Sequence, residues 1–155
     1  VLKSLINNSN GIKIFDYIFI DCPPALSLLT VMAMTAANSV LVPLQCEFFA
    51  LEGLSQLIKT VDRVHKNLNP SLSIDGIILT MFDKRNKLST QVAMDVKKHL
   101  QEKVFETMIP RNVRVSEAPS FGMPVIIYDH KSKGSQAYLK LADEILKKNK
   151  SREAA

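Results

Sequence analysis

The chain has 155 residues and a formal net charge of +5, with 46% hydrophobic and 23% charged residues. This composition is typical of a globular domain and excludes a disordered chain. Every apolar run is shorter than the roughly 20 residues that span a membrane. The two cysteines match neither a disulfide framework nor a metal site. We therefore expect one domain over residues 1–150, a frayed tail at 151–155, and no signal peptide.

The predicted elements alternate between short apolar strands and longer amphipathic helices. A helix end is expected at 1–8, strands at 16–21, 40–44, 74–81, 104–109 and 124–128, and helices at 25–37, 50–68, 89–103 and 135–148. The 25–37 segment is apolar nearly all round, which predicts a buried helix. Alternation with short connections predicts an α/β fold with a doubly wound, mainly parallel sheet.

The first predicted strand ends in a candidate metal ligand. Tyr17 to Ile20 form a continuous apolar run, and Asp21 follows directly before two prolines. Open α/β sheets bind ligands at the carboxyl ends of their strands. A carboxylate there can hold Mg²⁺ beside the phosphates of a nucleotide. The alternative is an ordinary core strand that ends in a turn-forming aspartate.

Five stretches, in matching order, resemble ParA/Soj-type chromosome-partitioning ATPases. They are FDYIFIDCPP (15–24), which resembles the Walker B segment, PLQCEFFALEGLSQ (43–56), TMFDKRNKLS (80–89), IPRNVRVSEAPSFG (109–122), and the Tyr128-Asp129 pair followed by Lys133-Gly134. Together these stretches are far more specific than any one of them. The resemblance implies the P-loop NTPase fold of the ParA/MinD-like type.

The chain departs from this family pattern in its phosphate loop. These ATPases carry a glycine-rich, lysine-containing loop that wraps the nucleotide phosphates. None of the five glycines of the chain lies in a GxxxxGK[ST] or KGGxGK[ST] motif. The chain thus resembles the C-terminal part of a family member, with a fold incomplete at its N-terminus. Because phosphoryl transfer depends on stabilising the phosphates, we expect this chain alone not to hydrolyse ATP.

The resemblance implies roles for seven residues toward ATP and Mg²⁺. Asp21 matches the Mg²⁺-associated catalytic aspartate, and Cys22, Pro23 and Pro24 would shape the switch beside the γ-phosphate. Three further residues, Met81, Pro110 and Arg111, would flank the adenine. The alternatives are strand termination for the prolines, core packing for Met81, and a rigid surface loop around Pro110.

Four basic residues are candidates for DNA binding. By motif position, Arg85 and Arg114 match residues that family members use to bind the nucleoid without sequence preference, and Lys84 and Lys87 lie nearby. A guanidinium suits phosphate because its planar fork binds two oxygens and keeps its proton. No base-reading helix is recognisable, so the binding is expected to depend strongly on salt.

By resemblance, the intact protein would be cytoplasmic and nucleoid-associated. It would form an ATP-dependent homodimer, bind DNA non-specifically, and respond to a ParB-type centromere-binding protein, in chromosome or plasmid partitioning. One alternative is a non-catalytic remnant that binds DNA or a homologue. Another is a MinD-like membrane-cycling ATPase, but residues 149–155 lack the large apolar side chains of an amphipathic anchor, and no membrane contact is expected.

Overall fold

The computed structural model of the protein describes residues 2–9, 11–12, 14–23 and 27–153. The helices are α1 Leu2–Asn8, α2 Leu28–Ala36, α3 Ala50–Asn67, α4 Lys87–Leu100, α5 Val113–Glu117, α6 Val125–Tyr128 and α7 Lys133–Glu153, and the strands are β1 Ser39–Gln45 and β2 Ser73–Thr80. Short 3₁₀ turns cover Gln101–Lys103 and Ala118–Phe121. The chain divides into two compact units, one made of Val1–Leu41 with Ser55–Asp75 and one of Val42–Leu54 with Gly76–Ala155.

Strands β1 and β2 pair in parallel. The N–H of Ser73 donates to the carbonyl of Asn38 at 3.4 Å, and the N–H of Cys46 donates to the carbonyl of Thr80 at 3.1 Å. Residue numbers increase in the same direction along both strands between these two bonds, so the pairing is parallel. Parallel bridges join Ile77 to Val104 and Phe82 to Pro110 on the other edge of β2. The predicted α/β architecture with a parallel sheet is confirmed.

In the first unit, a small apolar core packs around the end of α2. Its buried members are Met34, Val61, Val64 and Leu72. The buried amide of Asn69 donates to the carbonyl oxygens of Met34 at 3.0 Å and Ala37 at 2.8 Å. The last carbonyls of a helix have no partner within it, and here one side chain satisfies two carbonyls at this helix end.

In the second unit, β2 is buried and passes close to a neighbouring ring. Ile77 and Leu79 are fully buried. A Cβ atom added to Gly76 would lie less than 3.0 Å from the ring of Phe105, so only glycine leaves room for this ring. The hydroxyl of Ser89, near the start of α4, donates to the carbonyl of Cys46 at 3.1 Å.

The predicted buried strand at 16–21 is wrong. The segment has no regular structure, and Tyr17, Ile18, Phe19 and Ile20 are all exposed, Phe19 by 74%. A buried strand requires hydrogen-bonding neighbours, and no strand among the described residues pairs with this segment. The prediction of a helix buried all round is also wrong, because α2 begins at Leu28 and leaves Leu28 and Leu29 exposed.

Two further predicted strands differ in the structure. Among the described residues, the 104–109 segment makes one isolated bridge, at Val104, and a second bridge follows it at Pro110. The carboxylate of Glu144 accepts the N–H groups of Glu106 at 2.7 Å and Thr107 at 3.0 Å, so these two groups do not pair with β2. The predicted strand at 124–128 is the helical turn α6, in which the N–H of Asp129 donates to the carbonyl of Val125 at 2.9 Å. Its β-branched composition favours a strand, but local hydrogen bonds satisfy its backbone instead.

Helix α7 continues through part of the segment expected to be a frayed tail and ends at Glu153. Across the described ranges, no helix combines the length and the hydrophobicity needed to cross a bilayer.

Candidate functional site

In the second unit, the segment that follows β2 runs beside the segment that follows residues 104–109. The N–H of Phe82 donates to the carbonyl of Ile109 at 3.1 Å, and the N–H of Arg111 donates to the carbonyl of Phe82 at 3.0 Å. These bonds extend the pairing beyond the end of β2. They bring Met81, Pro110 and Arg111, the residues predicted to flank adenine, to one edge of the sheet.

A cavity of about 720 Å³ opens at this edge. Its lining mixes aromatic and aliphatic side chains with a few polar groups and includes Cys46, Phe48, Phe49, Met81, Asp83, Asn86, Leu88, Ser89 and Arg111. The volume falls within the range of about 300–1,000 Å³ found for small-molecule sites. The rings of Phe48 and Phe49 meet edge to face, with centroids 5.1 Å apart. Both rings are mostly exposed, so they form an aromatic rim of the cavity rather than part of the core.

The backbone at the cavity is strained at one residue. Met81 has a φ of 53°, in the left-handed region that residues with a Cβ atom seldom adopt. Such strain persists only where surrounding contacts hold it, and it clusters at functional sites. The bond from Cys46 N–H to Thr80 and the bonds of Phe82 to Ile109 and Arg111 hold Met81 from both sides.

An exposed ion pair and a buried thiol also line the cavity. Arg111 Nη2 lies 3.7 Å from Glu47 Oε1, and both side chains are 60% exposed, so this ion pair is a weak tether. Burial raises the pKa of the Cys46 thiol. Burial therefore favours the protonated thiol, which is the less nucleophilic form.

Arg85, the first candidate for DNA binding, is held by the carboxylate of Asp83. Arg85 Nε donates to Asp83 Oδ1 at 3.1 Å, and Nη2 donates to Oδ2 at 3.0 Å. The backbone N–H of Arg85 also donates to Oδ1 at 3.0 Å. The hydrogen bonds from Arg85 lower the pKa of Asp83, so the carboxyl is ionised at neutral pH.

Arg114, the second candidate, is held by two carboxylates. Its Nη1 donates to Glu117 Oε2 at 2.9 Å, and its Nε lies 3.4 Å from Asp129 Oδ2. The hydroxyl of Tyr128 donates to the same Glu117 oxygen at 3.3 Å. Asn112 caps this short helix by accepting the N–H of Arg114 at 3.0 Å.

The two candidate lysines differ from the arginines. Lys84 and Lys87 are exposed, and Lys87 begins α4. Within residues 27–153, ion pairs are present for Arg85 and Arg114 but for neither of these lysines. The four candidates are thus two paired guanidiniums and two solvated ammonium groups.

The residues predicted to lie beside the γ-phosphate and Mg²⁺ belong to the first unit. Asp21, Cys22 and Pro23 are consecutive and exposed, and the Cys22 thiol donates to the carbonyl of Ile20 at 3.7 Å. Pro24 lies outside the described residues. Among the described residues, Asp21 belongs to no group of three or more potential metal ligands. The carboxylate has the hard oxygen atoms that Mg²⁺ prefers, so its chemistry fits that ion.

Sequence reasoning missed the carboxylates that hold the arginines. Asp83 precedes Arg85 by two residues, and Glu117 follows Arg114 by three, so local spacing could have identified both pairs. Asp129 and Glu47 meet their arginines only through the tertiary fold. No local signal identifies these two.

Comparison with known sequences identifies relatives over most of the chain. A protein-family model described as an AAA domain matches residues 2–74. The chromosome partitioning protein ParA of Caulobacter vibrioides NA1000 is 62% identical over 140 residues, which cover 90% of this chain and 52% of that protein. The sporulation initiation inhibitor protein Soj of Bacillus subtilis is 57% identical over 131 residues, covering 84% and 52%. The chain spans about half the length of the curated relatives it matches.

Solved structures share the fold. A cobyrinic acid a,c-diamide synthase from Mycobacterium smegmatis, crystallised with an ATP analogue and magnesium, is 36% identical with a TM-score of 0.76, covering 97% of this chain and 53% of that one. The cell division ATPase MinD of Pyrococcus furiosus is 29% identical with a TM-score of 0.72, covering 95% and 56%. The fold is therefore that of the P-loop ATPases, and the chain belongs to the ParA/Soj family.

Proposed function

We propose that this chain supplies part of a ParA/Soj-like ATPase that acts in chromosome or plasmid partitioning. The observation that carries the proposal is the 62% identity to a chromosome partitioning protein over 90% of the chain. The proposed machine binds ATP with Mg²⁺, forms an ATP-dependent homodimer and binds DNA of the nucleoid without sequence preference. A ParB-type centromere-binding protein is the proposed partner.

The proposed adenine contacts lie in the second unit, and the proposed Mg²⁺ and phosphate contacts lie in the first. Met81, Pro110 and Arg111 share one edge of the sheet with a cavity of about 720 Å³, and this juxtaposition supports adenine binding there. Asp21 would hold Mg²⁺, directly or through water, and Cys22 with the adjoining prolines would shape the turn beside the phosphates. The metal ion, when bound, offsets phosphate charge.

The 155 residues contain no glycine-rich phosphate loop with a lysine, so we expect this chain alone not to turn over ATP. Phosphate release from ATP and Mg²⁺, measured on the purified chain, should equal that of a blank without protein. Mg²⁺-dependent release that Asp21→Asn abolishes would contradict this expectation.

The proposed DNA surface consists of Arg85, Arg114, Lys84 and Lys87. These cations are exposed and lie on loops or at helix starts, where they can reach a phosphate backbone. Such contacts release counterions and carry no base information, so affinity should fall steeply with salt.

The test is fluorescence anisotropy of a labelled duplex of arbitrary sequence, titrated with the chain at several salt concentrations. Arg85→Glu combined with Arg114→Glu should weaken binding by roughly tenfold or more and reduce the salt slope by about 2. The matched control is Lys59→Glu combined with Arg63→Glu, on exposed positions of α3. Both double variants change the charge from +5 to +1, since each reversal removes two charges. Equal affinities for the two would refute the assignment.

Two other functions remain as candidates. The likeness to MinD supports a membrane-cycling ATPase, which flotation of the chain with anionic liposomes tests directly. The second is a non-catalytic module that binds DNA or a homologue. Retained DNA binding without any affinity for ATP would favour that module.

A further inference from the structure

Both arginines proposed to contact DNA already bind carboxylates of their own chain. Asp83 engages the Nε and Nη2 edge of Arg85 through both of its oxygens, at 3.1 and 3.0 Å. A phosphate would bind a guanidinium through the same planar fork of donors. Phosphate and Asp83 therefore compete for one edge of Arg85.

The same competition exists at Arg114. Glu117 occupies its Nη1 at 2.9 Å, and Asp129 lies 3.4 Å from its Nε. Glu117 is in turn fixed by the hydroxyl of Tyr128 at 3.3 Å. The side chain of Arg114 is 52% exposed, so a phosphate can reach it from solvent, but only by displacing a carboxylate or by sharing the guanidinium with it.

We propose that Asp83 at Arg85, and Glu117 with Asp129 at Arg114, are built-in counter-charges that compete with DNA phosphate and hold the DNA affinity of this surface below that of its four cations acting freely. The inference rests on the proposed DNA-binding function. In this proposal, Lys84 and Lys87 attract DNA phosphate at all times. The two arginines contact phosphate only when a carboxylate is displaced. Any ligand or partner that binds these carboxylates would strengthen DNA binding.

Asp83→Asn removes the negative charge that competes with phosphate while it keeps the shape of the loop. The amide oxygen of Asn can still accept the backbone N–H of Arg85, which Asp83 Oδ1 accepts at 3.0 Å. Exposed ion pairs of this kind are weak, so releasing one should tighten binding by about two- to fivefold. The salt slope should steepen by about 1, because one more phosphate contact forms.

The control is Asp95→Asn, which changes the net charge equally. The Asp95 carboxylate accepts bonds from Gln91 on the exposed side of α4, and within residues 27–153 it has no arginine partner. It should change affinity much less than Asp83→Asn. Glu117→Gln should tighten binding as Asp83→Asn does, and in an Arg85→Ala background Asp83→Asn should give no gain beyond that of Asp95→Asn.

The outcomes separate this inference from the function on which it rests. If reversing both arginines leaves DNA affinity equal to that of the α3 control, the proposed function fails. If the reversals weaken binding but Asp83→Asn equals Asp95→Asn, the competition is absent and the inference fails. Weaker binding by Asp83→Asn would also overturn it, since the carboxylate would then orient Arg85 for DNA.

Discussion

Gly134 gives the sharpest test of how the fold supports the proposed DNA surface. It lies at the start of α7, where a Cβ atom would sit less than 3.0 Å from Val115 Cγ2 and 3.3 Å from Asn112 Cβ. Val115 and Asn112 flank Arg114 in the chain. Gly134→Ala must therefore push the segment that carries Arg114 away from α7.

The expected loss follows from two opposing terms. Overpacking a close contact costs about 1–3 kcal/mol, and replacing glycine within a helix regains at most about 1 kcal/mol. The net loss lies between about 0 and 3 kcal/mol, and its central value of about 1.5 kcal/mol corresponds to a decrease in Tm of about 3–6 °C for a domain of this size. Thermal and urea unfolding, followed by circular dichroism, would measure it.

A double-mutant cycle identifies the cause. Val115→Ala removes the clashing methyl group, so the substitution at Gly134 should cost about 1 kcal/mol less in that background. Gly53→Ala is the matched control, because no atom lies within 4 Å of the added methyl group on α3, and it should be neutral or stabilising. A fully stable Gly134→Ala variant, or strictly additive effects, would refute the steric argument.

Two further predictions concern stability. Asn69→Ala should destabilise the chain by about 2 kcal/mol in urea unfolding, because it leaves two carbonyls at the end of α2 without their donor; Asn67→Ala, at an exposed position, should have little effect. Glu144→Gln should cost about 1 kcal/mol at neutral pH, because the charged acceptor of two N–H groups is lost. Burial alone would raise the pKa of Glu144, but hydrogen bonds from Thr107 and Glu106 and the charge of Lys140 lower it below 4.5. Its stabilisation is thus present above the ordinary pKa and is lost as pH falls through the lower folded pKa. The wild type should therefore lose more stability in acid than Glu144→Gln, and parallel pH profiles would contradict the assignment.

Much of the architecture follows from local pattern. The apolar stripe of α3, the buried run of β2 and the spacing of Val92 and Val96 on α4 predict elements that the structure contains within a few residues. These signals suffice because each element makes its backbone hydrogen bonds within itself or with a strand close to it in the fold.

Prediction failed where the outcome depends on a distant partner. Tyr17 to Ile20 have the composition of a core strand but no strand beside them among the described residues. The 124–128 segment differs for a local reason, because its backbone forms helical hydrogen bonds although its β-branched composition favours a strand. At the candidate site, the motif positions of Arg85 and Arg114 are visible in the sequence, and so is the local spacing of Asp83 and Glu117. The contacts of Asp129 with Arg114 and of Glu47 with Arg111 depend on three-dimensional placement.

The Glu144 carboxylate limits strand pairing at the 104–109 segment. It accepts the N–H groups of Glu106 and Thr107, so neither group is available to a backbone carbonyl of another strand. A strand added beside this segment, from the same polypeptide or from another, must therefore displace the Glu144 carboxylate of α7 before Glu106 and Thr107 can donate to it.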